Sequence, residues 1–204
     1  MESIYKKLAS SITNVFLKKQ IINNKNKDVY LYGFEILIST LVYTLIFFFT
    51  ALLTNTMLSS FVFWIGFYIL RTLSGGYHAK SYLSCHVLFF INHIIFIITL
   101  YCIPNQYKAL VAIIMIIIST LLVLLFSPVD HPNKPFINNE KQRFKILSNL
   151  YIIGVSIIFV VLYVISVELL INYSMSFAIG TLSAAISLLS AKIIYQKEGK
   201  KDEE

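Results

Sequence analysis

Charged residues are scarce in this sequence. Asp, Glu, Lys and Arg together make up 13 % of the 204 residues, whereas a soluble domain carries about 25 %. So few charges cannot cover the surface of a water-soluble protein of this length. The hydrophobic fraction of 57 % also excludes a disordered chain, because disorder requires low hydropathy. The composition therefore predicts an integral membrane protein.

Cysteine is also rare, and Cys85 and Cys102 are the only two. Two cysteines exclude a scaffold held together by several disulfides. They fall on one predicted helix about 25 Å apart, well beyond the reach of a disulfide, so we interpret Cys102 as a bystander. In a membrane protein, the net charge of +7 is better explained by membrane orientation than by nucleic-acid binding. We expect no nucleic-acid partner.

Six apolar segments are long enough to cross the hydrocarbon core of a bilayer, which requires roughly 20 residues. They do not alternate between polar and apolar residues as the strands of a membrane barrel do. We therefore predict an all-α polytopic membrane protein that forms a single membrane domain over residues 1–204. The predicted transmembrane helices cover about 31–53, 57–74, 82–103, 107–126, 146–171 and 174–195.

The first 28 residues follow a different pattern. Apolar side chains between Ile4 and Phe16 fall on one helical face and the lysines fall elsewhere, which predicts an amphipathic helix. This helix either lies in the membrane interface on the cytosolic side or packs on the cytosolic side of the protein itself. At the other end, residues 196–204 form a charged tail that we expect to be solvated.

The basic residues predict the orientation of the chain. If the N-terminus is cytosolic and six helices follow, 16 of the 17 lysines and arginines lie on the inner side, and only Lys108 lies outside. The opposite orientation would place those 16 on the wrong side of the membrane. The sequence therefore predicts a multi-pass protein of the cell membrane with both termini in the cytosol.

The segment 71–86, between the second and third predicted helices, holds the only Gly-Gly pair, two of the four histidines and one of the two cysteines. Cysteine chemistry requires a thiolate and a nearby base, and His78 with Cys85 would supply both. Seven residues of continuous helix would separate these two side chains by about 10.5 Å. A working dyad therefore predicts that the helix breaks at the glycines. It also places Cys85 in the first turn of the next helix, capped by Ser81 or Ser84.

Neighbouring residues are candidates for binding the substrate or the oxyanion of a reaction intermediate. These are Arg71, Gly75, Gly76 and Lys80. Backbone N–H groups near the cysteine are the alternative oxyanion donors. The alternative role of Arg71 is purely structural, with its side chain extending to the lipid headgroups at the membrane surface. Asp130 either orients the catalytic histidine or shapes the proline-rich turn in which it lies.

The remaining histidines have packing roles in our interpretation. His86 points about 100° away from its neighbour Cys85 on a helix, and His93 in the third predicted helix is expected to bond to another helix. A zinc site built from His78, Cys85, His86 and His131 is an alternative that lacks the spacing of known zinc motifs. We expect no metal and no other cofactor.

Two motifs together carry a family resemblance. The first is Arg71, Gly75-Gly76-Tyr77-His78-Ala79 and Cys85 between the second and third apolar segments, and the second is Ser127–Pro135 after the fourth. They resemble the accessory gene regulator protein B (AgrB) family of bacterial quorum-sensing membrane endopeptidases. The length of the chain and its basic amphipathic start also fit. The resemblance implies that His78 is the base and Cys85 the nucleophile.

The resemblance also implies a substrate and a mechanism. The substrate would be a precursor peptide with an amphipathic, membrane-bound leader and an acidic C-terminal tail, which Arg71 could bind. Cys85 would release the tail and form a thioester, and a Cys or Ser of the peptide would then close a thiolactone or lactone ring. The partners are thus the precursor and the lipid bilayer, and a homodimer is compatible with the small six-helix body. The active site would lie on the cytosolic side of a bacterial membrane.

Two other classes of function remain alternatives. A small transporter or exporter is expected to have paired charges or broken helices near the bilayer midplane, related by an internal repeat. The sequence has no convincing repeat, and its distinctive residues cluster at one membrane surface instead. A non-catalytic assembly or sensor protein is the other alternative, for which Cys85 would be dispensable.

Overall fold

The computed structural model describes residues 4–77, 82–130, 136, 139–165 and 171–201. These residues form seven α-helices and one short 3₁₀ helix, and they contain no strand. The α-helices are α1 (Ile4–Lys18), α2 (Lys27–Leu53), α3 (Met57–Ser74), α4 (Tyr82–Cys102), α5 (Asn105–Phe126), α6 (Glu140–Ile165) and α7 (Ile171–Lys201). Six of them, α2 to α7, are long and apolar enough to cross a membrane. The predicted all-α fold with six spans and an N-terminal helix is confirmed.

Some helices extend beyond the apolar segments that predicted them. α6 begins at Glu140 rather than near residue 146, and α7 continues to Lys201 rather than ending near residue 195. Hydropathy locates the part of a helix that suits lipid, but a helix can continue into polar sequence at the membrane surface. Glu140 in the first turn of α6 also places a negative charge at the positive end of the helix dipole.

Contacts between Cα atoms divide the chain into two compact units. The first unit is Met1–Leu53 with Ala79–Phe90, and it contains α1, α2 and the beginning of α4. The second unit is Thr54–His78 with Ile91–Glu204, and it contains α3, the rest of α4 and α5 to α7.

Within the first unit, α1 packs along α2. Ala9 is fully buried, and the rings of Phe16 and Phe34 meet edge to face with their centroids 5.2 Å apart. Leu8 and Val15, by contrast, are about half exposed. α1 is therefore amphipathic as predicted: one side packs on the protein, and the other presents an apolar surface that suits a membrane interface.

Within the second unit, α7 is the central helix. It packs against both α3 and α5, and 44 % of its membrane-length segment is buried, more than in any other span. The buried core around it includes Leu70, Val123, Ile152, Ala184 and Leu188. Large apolar side chains on the outer sides of the helices are exposed, as expected for residues that contact lipid.

Two glycines allow α3 and α7 to pack backbone against backbone. A Cβ atom on Gly66 of α3 would lie 2.6 Å from the carbonyl oxygen of Phe177, and a Cβ atom on Gly180 of α7 would overlap the carbonyl oxygen of Phe63. Because these neighbours are backbone atoms, a change of rotamer cannot make room for a side chain. Small residues at such crossings are typical of membrane helices, whose association depends on close packing.

Some buried polar side chains of the second unit bond to a neighbouring helix. His93 of α4 is fully buried, and its Nε2 lies 3.0 Å from the Ser60 hydroxyl of α3. The buried Lys108 of α5 donates a hydrogen bond of 2.7 Å to Asn172 of α7. The predicted interhelical role of His93 is confirmed, and these bonds reduce the cost of burying polar groups.

Candidate functional site

The C-terminal end of α3 breaks at the Gly-Gly pair. The N–H of Gly75 donates to the carbonyl of Arg71 at 3.1 Å and closes the last turn. Gly75 and Gly76 then take φ angles of 75° and 155°, in the region that favours glycine. Since α3 ends at Ser74 and residues 75–77 are not helical, residues 72–90 do not form one continuous helix. The predicted break is confirmed.

Three residues of the second unit form a closed ring of hydrogen bonds just after this break. The N–H of Tyr77 donates to the carbonyl of Ser187 in α7 at 3.1 Å. Nη2 of Arg71 donates to the carbonyl of Tyr77, and Nη1 of Arg71 donates to the hydroxyl of Ser187 at 3.0 Å. We call this arrangement the Arg71–Tyr77–Ser187 ring. It pairs both the N–H and the carbonyl of Tyr77, the residue directly before His78.

Each glycine leaves room for a different neighbour. A Cβ atom on Gly76 would overlap the Arg71 guanidinium and would lie 3.1 Å from the Ser187 hydroxyl, inside the ring. A Cβ atom on Gly75 would lie 2.7 Å from the carbonyl oxygen of Val129. The Gly-Gly pair is therefore explained by close approach as well as by backbone conformation.

The loop after α5 meets the same break. The N–H of Val129 donates to the carbonyl of Ser74 at 3.1 Å, so the next residue, Asp130, is held close to the glycine turn. The Asp130 carboxylate accepts a hydrogen bond of 3.0 Å from the N–H of Phe136. This bond favours the turn-shaping alternative for Asp130, and its role as a histidine orienter stays a prediction.

Cys85 lies in the first turn of α4, the position predicted for it. It is half-buried and is not part of a disulfide. Ser84 lies inside α4, so the prediction that it caps this helix is wrong, because the helix begins earlier, at Tyr82. The alternative cap, Ser81, lies outside the described residues.

Two predicted members of the site, His78 and Lys80, also lie outside the described residues. No group of three or more His, Cys, Asp or Glu in the part of the chain that the structure describes is placed to hold a metal ion. His131 belongs to the undescribed part as well, so the zinc alternative stays a prediction.

Tyr43 of α2 packs on the first turns of α4 within the first unit. Its ring stacks on His86 with centroids 4.4 Å apart and an interplanar angle of 19°. Its hydroxyl donates to the carbonyl of His86, the residue that follows Cys85. The packing role predicted for His86 is confirmed, and Tyr43 joins the surroundings of the cysteine.

Sequence reasoning missed both Tyr43 and Ser187. Tyr43 is one of 13 tyrosines in the chain, and Ser187 is a serine in an apolar helix, 116 residues after Arg71. Neither lies in a motif, and serines in membrane helices commonly bond to their own backbone. A side chain that meets its partner only through tertiary packing leaves no signal in local spacing.

Comparison with known proteins places the chain in a family. The sequence profile of Accessory gene regulator B (AgrB) matches residues 9–189. This chain belongs to the AgrB family. The matched region of this AgrB protein contains Arg71, both glycines, Cys85 and Ser187. Membership and the six long apolar helices support a multi-pass membrane protein.

Two AgrB-like proteins of Clostridium perfringens are similar to this AgrB chain. The protein from strain SM101 is 29 % identical over 133 residues, which is 59 % of each of the two chains. The protein from strain 13 is 27 % identical over 151 residues, which is 70 % of this chain and 67 % of the relative. The match thus spans less than two thirds of the SM101 protein. No solved structure is significantly similar.

Proposed function

We propose that this AgrB protein is a membrane cysteine endopeptidase that removes the acidic C-terminal tail of a quorum-sensing precursor peptide and promotes cyclisation of the remainder. The observation that carries the proposal is the half-buried Cys85 thiol in the first turn of α4, following a helix break at Gly75. His78 falls between that break and the cysteine. The membership of the chain in the AgrB family supports the same assignment.

The first step would transfer the peptide to the enzyme. His78 accepts the proton of the Cys85 thiol, and the thiolate attacks the carbonyl carbon of the scissile peptide bond. When the tetrahedral intermediate collapses, the C–N bond breaks and the imidazolium returns the proton to the leaving amine. The acidic tail departs, and the rest of the precursor remains on Cys85 as a thioester.

The second step would close the ring. A cysteine thiol or serine hydroxyl of the bound peptide attacks the thioester carbonyl and loses its proton to His78, and the Cys85 sulfur leaves and regains a proton. Exchange of one thioester for another is close to neutral in free energy, so a thiolactone forms without ATP. Exclusion of water from the site would suppress hydrolysis, the competing reaction.

The position of Cys85 in α4 suits this chemistry. The N-terminal turn of a helix presents unpaired N–H groups and the positive end of the helix dipole. Both favour the negative charge that forms on the sulfur and then on the carbonyl oxygen. Arg71 stays the alternative oxyanion donor, because a guanidinium has five N–H donors and the Arg71–Tyr77–Ser187 ring uses one on Nη1 and one on Nη2.

The proposed site is cytosolic, because the distribution of basic residues favours cytosolic termini. We expect a membrane-impermeant maleimide added to intact cells to label Cys102, which is exposed at the end of α4, but not Cys85. The Cys85→Ala and Cys102→Ala variants assign the label to one thiol at a time. If Cys85 is labelled in intact cells as fast as in permeabilised cells, the predicted orientation is wrong and Cys85 faces the outside.

The thioester itself provides the direct test of the proposed function. Purified protein in lipid nanodiscs is mixed with a precursor whose ring-closing Cys or Ser is replaced by Ala, so that the first step proceeds and the second cannot. Intact-mass spectrometry after an acid quench should show the enzyme plus the tail-less peptide. Hydroxylamine should release that peptide as a hydroxamate.

The matched control for this trap is the Cys102→Ala variant, which should form the same adduct in the same yield. The Cys85→Ala variant should form none. Release of the tail without any adduct, or an adduct that maps to a residue other than Cys85, would show that the thioester mechanism is wrong.

A further inference from the structure

We propose that His93 is a proton-binding site that exchanges its proton with water at one face of the membrane through three hydroxyl groups. These hydroxyls belong to Ser60, Thr56 and Thr54, and all four residues lie in the second unit. We call this arrangement the His93 relay. It is separate from the proposed site of peptide cleavage, so the inference goes beyond the proposed function and does not depend on it.

The His93 relay is a continuous chain of side-chain contacts. Nε2 of His93 lies 3.0 Å from the Ser60 hydroxyl. The Ser60 hydroxyl lies 3.1 Å from the Thr56 hydroxyl, which in turn lies 2.8 Å from the Thr54 hydroxyl. Each distance is short enough for a hydrogen bond, so no gap separates the imidazole from the last hydroxyl.

Burial decreases along the relay from the imidazole to the last hydroxyl. His93 and Ser60 are fully buried, and Thr56 is 4 % exposed. Thr54 is half-buried in the turn that precedes α3, and its neighbour Asn55 is exposed. Water therefore meets the relay at Thr54, and the three hydroxyls connect that end to the buried imidazole.

The relay opens at the end of α3 that lies away from the helix break. Thr56 comes directly before Met57, the first residue of α3, and Gly75 directly follows Ser74, the last. The 18 residues of α3 span about 27 Å. The proton thus enters from the face of the membrane opposite the Gly-Gly pair, which is the outer face in the predicted orientation.

Hydroxyl and imidazole groups are suited to passing a proton. A hydroxyl donates one hydrogen bond while it accepts others, and ionisable residues inside a membrane often mark proton relays. Hydronium at the membrane face gives a proton to the Thr54 oxygen, Thr54 passes its own hydroxyl proton to Thr56, and Thr56 passes one to Ser60. Ser60 gives its proton to Nε2 of His93, so the imidazole gains one proton and the hydronium becomes water.

The side chains around the relay leave His93 as its proton acceptor. Phe63 of α3 and Phe96 of α4 are fully buried, and their ring centroids lie 6.1 and 5.8 Å from that of the imidazole. At the other end, the Tyr101 hydroxyl donates to the backbone carbonyl of Thr54 at 2.5 Å. A phenol keeps its proton up to about pH 10, so of these described groups His93 is the one that changes charge below that pH.

A purely structural role for His93, as a hydrogen bond that holds α4 to α3, makes a different prediction. It requires the contact between His93 and Ser60 but neither threonine hydroxyl. The measurement that separates the two roles is the rate at which the His93 imidazole N–H exchanges with water. That rate depends on Thr56 and Thr54 only if the proton moves along the relay.

The experiment uses full-length protein with nitrogen-15-labelled histidine in lipid nanodiscs, without any precursor peptide. Exchange of each imidazole N–H with water is measured by NMR, as loss of signal in D₂O or, where exchange is faster, as transfer of magnetisation from water. His93→Gln assigns the signal among the four histidines.

The test variant is Thr56→Val, which removes the middle hydroxyl, keeps the shape of the side chain and leaves the contact between His93 and Ser60 in place. Thr56 makes no side-chain cap bond to α3, so the substitution does not remove a helix cap. The matched control is Thr99→Val, because Thr99 lies in the same helix as His93 and its hydroxyl donates to the carbonyl of Ile95 at 2.7 Å.

We expect Thr56→Val to slow exchange of the His93 N–H by at least about tenfold, because valine has no proton to pass on. Thr54→Val should slow it as well, by a smaller factor, and Thr99→Val should stay within about twofold of the parent. The nitrogen-15 chemical shifts of His93 should be the same in all three variants, because its bond to Ser60 is kept. If Thr56→Val moves those shifts, Thr54→Val, one hydroxyl further away, provides the test.

Two results would overturn the His93 relay. One is a His93 exchange rate that equals the parent rate in both Thr56→Val and Thr54→Val, which would leave His93 with the structural role alone. The other is an equal change in Thr99→Val, which would show that exchange follows local opening of α4. Either result leaves the proposed function intact, because the thioester trap on Cys85 does not use these residues.

Discussion

Replacement of Cys85 by alanine is expected to lower the rate of precursor cleavage by about 10³-fold or more, because the reaction loses its nucleophile. His78→Ala should lower the rate by about 10²- to 10⁴-fold, the usual contribution of a positioned acid–base group. The measurement is release of the acidic tail, followed by mass spectrometry in cells that co-express the protein with its precursor peptide. Equal amounts of inserted protein are confirmed from membrane fractions.

The control for this prediction is Cys102→Ala, the other cysteine of the chain. It removes a thiol of the same type from the exposed C-terminal end of the same helix, so cleavage should stay within about twofold of the parent. A Cys85→Ala protein that is inserted normally and still releases the tail at the parent rate would refute the cysteine mechanism. It would then favour the non-catalytic alternative raised by the sequence.

Replacement of Gly180 by valine is expected to have the largest effect on stability, about 3 kcal/mol or more. Its Cβ atom would overlap the carbonyl oxygen of Phe63 and would lie 3.0 Å from the backbone nitrogen of Phe67. Both neighbours belong to the α3 main chain, so α3 and α7 would have to separate along their contact. Thermal unfolding in nanodiscs, followed by loss of helical circular dichroism, measures the change.

Gly154 of α6 provides the matched control for Gly180. A Cβ atom there would meet nothing within 4 Å, and alanine is a better helix former than glycine by about 1 kcal/mol. Gly154→Ala should therefore leave the unfolding temperature unchanged or raise it. If Gly180→Val unfolds at the parent temperature, the close approach of α3 and α7 is wrong.

The six spans were predictable because the bilayer imposes a length and a composition on any helix that crosses it. The ends of the spans were less predictable. α6 begins at Glu140 and α7 runs on to Lys201, since polar residues at a membrane surface can continue a helix without any apolar signal.

The local part of the candidate site was predictable for a similar reason. A glycine pair followed by a distant cysteine requires a break and a new helix if Cys85 is to meet a base, and the break at Gly75 and the start of α4 agree with this. The role of Ser187 was not predictable, because it depends on which turn of α7 faces the end of α3. The packing role of Gly66 and Gly180 was not predictable either. Only their close neighbours in the folded protein distinguish them from Gly154, which has open space around it.

The Arg71–Tyr77–Ser187 ring also has a consequence for the timing of biosynthesis. Ser187 is translated 116 residues after Arg71, and at about 5–20 residues per second the interval is roughly 6–23 s. During that time Tyr77 has no partner in α7, so the backbone before His78 gains its anchor only after the last helix has left the ribosome and entered the membrane. A nascent chain that already carries Arg71, Gly75, Gly76 and Cys85 still lacks that anchor.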